Sequence, residues 1–186
     1  MEAKNPIRSF IYDFTEADYM RFNKYHYRKF PSGKKMLLAA RIFGVIPLFF
    51  MFFIPILRGG AWYQILYAGI MLTLLSIIWL VTTMPLVILN TKLYVMIMKR
   101  SGKLPFGKNV QLDFYENYIC ETTEMAETRF KYSSIEYMGV DKNAVYLYYN
   151  AMQALVILRS VFESKEDEDA FLEFIRLQLS TAIHST

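Results

Sequence analysis

The sequence predicts a mixed α+β membrane protein, in which a two-helix transmembrane hairpin is followed by an antiparallel sheet and a C-terminal helix. The 186 residues are 54% hydrophobic and 17% aromatic, which is more apolar than an average soluble domain. Two long apolar runs lie between residues 36 and 89, and each is long enough to cross a bilayer. Beyond them, apolar residues alternate with polar ones, as in half-buried strands.

Residues 1–35 predict a short strand and then a basic amphipathic helix next to the membrane. In IRSFIYDF, the rings of Phe10, Tyr12 and Phe14 fall on one face because successive side chains of a strand point to opposite sides. We therefore expect this stretch to be a strand with one aromatic face.

The helix that follows begins with the spacing of a capping box between Thr15 and Asp18. At 3.6 residues per turn, an aromatic face lies opposite a cationic one. The two faces carry Tyr19, Phe22, His26 and Phe30 on one side and Arg21, Lys24 and Arg28 on the other. Two interpretations stay open: the helix lies on the inner leaflet, or its aromatic face packs on the protein's own C-terminal domain. In both, we expect His26 to be a packing residue.

Residues 36–100 contain the predicted hairpin, with spans at about 36–57 and 62–89. Only the turn RGGA separates the spans, so their outer ends lie on the same side of the membrane. The one charge inside the first span is Arg41, which is close enough to the boundary for its guanidinium to reach the headgroups.

Lysine and arginine residues flank the apolar runs, whereas only Arg58 lies between them. Because cationic loops remain in the cytoplasm, we expect both termini to be cytoplasmic and the protein to be a multi-pass protein of the inner (plasma) membrane. The predicted membrane-surface contacts are Arg21, Lys24, Arg28, Lys34, Lys35, Lys99, Arg100 and Lys103.

Residues 105–186 predict an acidic cytosolic domain of five or more short antiparallel strands. Its first hairpin turns at Glu116 and Asn117. A C-terminal helix begins after Ser164 as N-cap, has acidic first turns that we interpret as a solvated cap, and continues with an apolar stripe. The stripe consists of Phe171, Phe174, Ile175 and Leu179. This order is that of a small pleckstrin-homology-like domain, which at this size needs the N-terminal strand as an added edge or the hairpin as support.

Several stretches of the chain carry a resemblance to a known family. They are FIYDFTEADYMRFNKYH, VQLDFYENYI, TRFKYSSIEYM, VYLYY and VFESKEDEDAFLEFI, with the hairpin after the first. In this order they resemble the YcxB-like family of small bacterial membrane proteins, although Leu158 stands where a proline is expected. The resemblance implies an inner-membrane protein with a cytosolic pleckstrin-like domain, and it implies no established activity or catalytic residues.

The residues give no support for catalysis, so we expect no enzyme activity, no cofactor and no metal. Cys120 lies beside Glu121, which disfavours a reactive thiolate, and neither His26 nor His184 has an evident partner for acid–base chemistry. The tyrosines of the sheet form the candidate interaction surface, namely Tyr137, Tyr146 and Tyr148. The alternative is that these rings pair across strands and only stabilise the sheet.

The leading functional hypothesis is a non-catalytic, membrane-anchored interaction or scaffold module. Its expected partners are the lipid bilayer and a protein or a second copy of the chain. We expect no nucleic acid partner, because the cations that raise the isoelectric point to about 9.0 flank the membrane spans. The alternative hypothesis is an immunity protein that protects against a membrane-active toxin.

Overall fold

The computed structural model describes the backbone of residues 5–102 and 104–184, and the side chains of the same residues except 183 and 184. The chain forms two compact units. One unit is a single segment, Asn23–Gly102, and the other combines the residues before it with the residues after it. This division differs from the expected boundary at residue 35, because the N-terminal strand and the first turns of the next helix belong with the C-terminal domain.

Within the described residues, seven strands and four α-helices follow one another along the chain. The strands are β1 (Arg8–Phe14), β2 (Gly107–Phe114), β3 (Tyr118–Thr122), β4 (Glu127–Lys131), β5 (Tyr137–Val140), β6 (Ala144–Tyr148) and β7 (Ala154–Leu158). The helices are α1 (Glu16–Lys29), α2 (Pro31–Leu57), α3 (Trp62–Ser101) and α4 (Lys165–His184). Both α2 and α3 extend beyond the apolar spans expected from the sequence, at the start of α2 and at the end of α3.

The strands form two antiparallel sheets, one ordered β1-β2-β3-β4 and the other β5-β6-β7. Sequential strands therefore pair as expected for a meander, with a break into a second sheet after β4. A 3₁₀ turn at Tyr132–Ser134 lies at this break. The turn expected at Glu116 and Asn117 joins β2 to β3, where the amide of Tyr115 donates to the carbonyl oxygen of Tyr118 (2.9 Å).

Strand β1 pairs along its length with β2, although the α1–α3 segment separates them in the chain. Phe10 lies opposite Leu112, and Phe14 lies opposite Gly107. The Ser9 hydroxyl donates to Asp113 across the same pair of strands (2.6 Å). Of the two supports considered for this domain, the N-terminal strand as an added edge or the hairpin, the structure contains the first, because β1 is an edge strand of its sheet.

The core of the sheet-bearing unit is aromatic. The ring of Phe10 meets those of Phe114, Phe162 and Phe171 edge to face, with centroids 5.9, 5.2 and 5.2 Å apart, which is a favourable arrangement for aromatic pairs. On α4, Phe171 and Ile175 are fully buried. The apolar stripe predicted for the C-terminal helix is therefore the face that packs on the sheets.

Helix α4 begins with the predicted N-cap, but two carboxylates of its first turns form ion pairs within the unit. The Ser164 hydroxyl oxygen accepts the amide of Asp167 (3.1 Å), as an N-cap does. Glu168 is buried and lies 3.0 Å from Arg159, and Asp167 lies 2.7 Å from Arg8 of β1. The interpretation of this cluster as a solvated cap is wrong for these two residues, because both are held in ion pairs within the unit.

In the second unit, α2 and α3 form an antiparallel hairpin. Gly44 lies opposite Trp79, and a Cβ atom on Gly44 would stand 1.9 Å from a ring carbon of that tryptophan. The indole N–H of Trp79 donates to the backbone carbonyl oxygen of Arg41 (3.1 Å). The turn between the helices contains Gly59 at a positive φ of 67°, a conformation that glycine adopts without steric cost. The tryptophan thus fixes the two helices against each other near the start of the apolar run.

Replacing Phe10 by alanine tests whether β1 is part of the core. We expect Phe10→Ala to lower the free energy of unfolding by about 3–5 kcal/mol, because a buried ring is lost from a packed aromatic cluster. The matched control is Ile11→Ala on the same strand, where the side chain is 64% exposed. Denaturant unfolding of the full-length protein in detergent, followed by near-UV circular dichroism, measures both. Equal losses for the two variants would contradict the placement of β1.

Candidate functional site

The predicted membrane-surface cations gather at one end of the second unit. Because α2 and α3 are antiparallel, the start of α2 and the end of α3 meet at the same end of the hairpin. Six of the predicted membrane-surface cations lie in this unit, and all six are exposed: Lys24 and Arg28 on α1, Lys34 and Lys35 on α2, and Lys99 and Arg100 on α3. Arg21 belongs to the other unit and lies 2.7 Å from Asp18, and Lys103 lies outside the described residues.

The segment Asn23–Gly102 contains ten lysine and arginine residues and no aspartate or glutamate. All seventeen acidic residues of the chain lie in the remainder, where eleven cations leave a net charge of −6. The hairpin unit therefore has no carboxylate of its own to balance its positive charge. Of its ten cations, only Arg58 lies in the turn at the far end.

The far end of the hairpin is aromatic. Trp62, Tyr63 and Tyr67 follow the turn on α3 and are exposed, and with Pro55 they line an open apolar hollow. Both helices are long and apolar enough to cross a membrane. In their most apolar stretches of 18 residues, 0% of the residues of α2 and 6% of those of α3 are buried inside the protein. Most of the apolar surface of these helices is therefore not covered by the described part of the chain.

Two of the three tyrosines predicted to form an interaction surface are in the interior. Tyr146 and Tyr148 of β6 are 1% and 0% exposed, whereas Tyr137 of β5 is 44% exposed. The expectation of exposure is wrong for the first two because Phe22 of α1 packs on them, with ring centroids 5.7 and 5.9 Å away. Of these three tyrosines, Tyr137 is the exposed one.

The same contacts show where the aromatic face of the first turns of α1 packs. Phe22 is buried, and the ring of Tyr19 lies 6.1 Å from that of Phe106. The aromatic face up to Phe22 therefore packs on the sheet-bearing unit, which was one of the two interpretations left open by the sequence. Further along α1, His26 is buried beside Phe30 (5.4 Å between ring centroids), and burial lowers the pKa of its imidazole. His26 is a packing residue, as expected.

The part of the chain that is similar to a known family lies mainly in the sheets. Residues 114–175 match the family model described as YcxB-like protein. This part of the chain is similar to the YcxB-like family, and we call residues 114–175 the YcxB-like segment. The resemblance indicated by the sequence motifs is thus confirmed over these residues, which include β3 to β7 and the first half of α4. No curated protein and no solved structure matches the chain.

Within the YcxB-like segment, Cys120 is buried on β3. Burial raises the pKa of its thiol, and contact with Glu127 raises it further. A raised pKa disfavours the thiolate, which is the reactive form of cysteine. The described residues also contain no group of three or more histidine, cysteine, aspartate or glutamate residues that could hold a metal ion.

Glu121 of the YcxB-like segment is a partly buried carboxyl group that the sequence analysis did not single out. It pairs with Leu112 of β2. Because it follows the buried Ile119 by two residues, the alternation along β3 predicts that its side chain lies on the same, inner face of the sheet. Burial raises its pKa. Burial also raises the pKa of Tyr12 and Tyr149, and the charge of Glu121 raises them further. The Tyr12 hydroxyl donates to the carbonyl oxygen of Val156, which ties this group to the sheet.

Replacing Glu121 by glutamine tests the effect of this buried charge. A carboxyl group whose pKa is raised in the folded state binds a proton more tightly there than in the unfolded chain, so its penalty is present at neutral pH and is relieved as the pH falls. We expect Glu121→Gln to be at least as stable as the parent at pH 7 and to lose part of the gain on acidification toward pH 4.5. Thermal melts at both pH values measure this.

The control is Glu124→Gln, in the exposed turn after β3. It should leave both the melting temperature and its pH dependence unchanged. A Glu121→Gln variant that is much less stable at pH 7 would mean that the carboxylate makes a stabilising contact.

Proposed function

We propose that this chain is a multi-pass bacterial inner-membrane protein whose pleckstrin-homology-like domain lies on the cytoplasmic side and acts as a non-catalytic interaction or scaffold module. The observation that carries the proposal is an apolar, outward-facing hairpin inserted between two paired strands of a sheet domain. Four strands in one sheet, three in the next and a closing helix support the pleckstrin-homology-like assignment.

The pairing of β1 with β2 supports the membrane topology. The chain leaves the sheet at Phe14 and returns at Gly107, which lies opposite it. Residues that pair in a sheet are about 5 Å apart, so the inserted segment starts and ends on the same side of any bilayer that it crosses. An even number of crossings is therefore required, and α2 and α3 provide two.

The distribution of charge and aromatic residues supports the orientation. Lysine and arginine concentrate at the end of the hairpin that joins the sheet domain, and Trp62, Tyr63 and Tyr67 lie at the opposite end. Cations favour the cytoplasmic face, and tryptophan and tyrosine favour the interface between lipid and water. Both termini and the sheet domain are accordingly assigned to the cytoplasm.

An interaction role fits the strand edges of the domain. Strand β5 lies at an edge of its sheet, and Tyr137 on it is exposed. An edge strand can bind an extended peptide by backbone pairing, with alternate side chains giving the specificity. The partner is a protein or a second copy of the chain, and the lipid bilayer is the second partner. Nucleic acid is not a partner in this proposal because the sheet domain is acidic.

Two introduced cysteines, each in its own variant, test the topology in intact cells. We expect Ala61→Cys, in the turn between α2 and α3, to react with a membrane-impermeant maleimide from outside. Met152→Cys, in the exposed turn after β6, should react only after permeabilisation. Cys120 is buried and gives little background. Labelling of Met152→Cys in intact cells would contradict the assigned side of the domain.

Photo-crosslinking tests the interaction surface in native membranes. A photoreactive amino acid at Tyr137 should give a discrete adduct, because this position is exposed on an edge strand. The same amino acid at Leu177, which is exposed on α4, serves as the control and should not give that adduct. The proposal fails if Tyr137 gives no adduct, or if both positions give the same products.

A further inference from the structure

The guanidinium of Arg41 is the one charge in the apolar run of α2, and it is incompletely satisfied within the described protein. Its Nε atom is buried and has no hydrogen-bond partner among the described residues. The nearby indole of Trp79 cannot accept a hydrogen bond from it, because an indole N–H is only a donor, and it donates to the Arg41 backbone carbonyl oxygen. A buried charged donor without an acceptor is costly. Arg41 as a whole is partly exposed, so an acceptor from outside the chain can reach the part of its side chain that is not buried.

That acceptor is not a carboxylate of the same unit, since Asn23–Gly102 contains no aspartate or glutamate. Arg41 differs in this respect from Arg8 and Arg159 of the sheet domain, which lie 2.7 and 3.0 Å from carboxylate oxygens. An anion that neutralises Arg41 must therefore come from outside this segment.

The face of α2 around Arg41 has the composition of a lipid-binding surface. Lys34 precedes Arg41 by seven residues, so the two side chains lie on one face of the helix, about 10 Å apart along its axis. Leu38 lies between them on that face and is 56% exposed. Gly44 follows on the next turn and admits the Trp79 ring, which holds the Arg41 backbone in place.

We propose that Lys34 and Arg41 form a binding site for the phosphate group of an anionic phospholipid of the cytoplasmic leaflet. Arg41 binds the phosphate oxygens through its planar guanidinium, and Lys34 adds a second positive charge from the cytoplasmic side. Leu38 and Ile42, both exposed, contact the upper part of the acyl chains. A free phosphate ion would have to lose its hydration beside these side chains, whereas a lipid phosphate is already held at this depth.

The site rests on the proposed membrane insertion and adds a preference among lipids to it. The full-length protein in detergent is titrated with phosphatidylglycerol, with phosphatidylcholine of the same acyl chains, and with inorganic phosphate. Thermal unfolding and native mass spectrometry report binding. We expect tighter binding of phosphatidylglycerol than of the other two, and we expect Arg41→Gln to weaken it about tenfold, as for the loss of one charge-assisted hydrogen bond.

The control is Arg58→Gln, which removes an equal charge at the opposite end of the hairpin and should leave phosphatidylglycerol binding unchanged. Arg41→Lys should retain part of the affinity, and Lys34→Gln should lose part of it, so the test does not depend on one variant. Equal binding of all three probes, equal losses in Arg41→Gln and Arg58→Gln, or an unchanged affinity in Arg41→Gln would overturn the proposal. Resistance to alkaline extraction from membranes, measured on the unmodified protein, tests insertion separately from this site.

Discussion

The pairing of β1 with β2 is the constraint on which the rest of the structure depends. It joins residues such as Ser9 and Asp113, which are 104 positions apart in the chain. The entropy of closing a loop grows only slowly with its length, and the inserted segment is itself folded into helices. A long insertion is therefore compatible with a paired strand. The pairing in turn requires that the insertion return to the position at which it left the sheet.

The same strand completes the core. Phe10 lies among Phe114 and Phe171, so β1 supplies a ring that the later strands and α4 need. Arg8 contributes an ion pair to Asp167 in the first turn of α4 (2.7 Å). Residues 105–186 alone would bury little apolar surface, because the domain that they form is small. The complete sheet domain is discontinuous in sequence, with its first strand before the hairpin and the remainder after it.

Local patterns predicted most of the elements, because helix and strand periods are short-range properties. The alternation around Phe10, the Ser164 cap and the apolar lengths of the two spans all led to elements that the structure contains. The errors concern contacts between distant parts of the chain. Tyr148 alternates like a surface residue, but it is fully buried, and the ring of Phe22 from α1 lies 5.9 Å from its ring. The isolated charge of Arg41 in the sequence indicated part of the candidate lipid site. The hydrogen bond from the Trp79 indole to the Arg41 backbone carbonyl oxygen was not indicated by the sequence.

In the proposed orientation, the charge distribution and the strand pairing agree for independent physical reasons. The strand pairing requires both ends of the insertion to lie together, whatever the charges are. The hairpin unit has ten cations, and only Arg58 lies in the turn between its helices. The other nine favour the cytoplasmic side for the common end, and this preference does not depend on the fold of the sheets. Since the unit contains no carboxylate, its positive charge is balanced from outside, and anionic headgroups at that face can do so. In the proposed lipid site the headgroup is one counter-ion for the hairpin, beside the net charge of −6 in the rest of the chain.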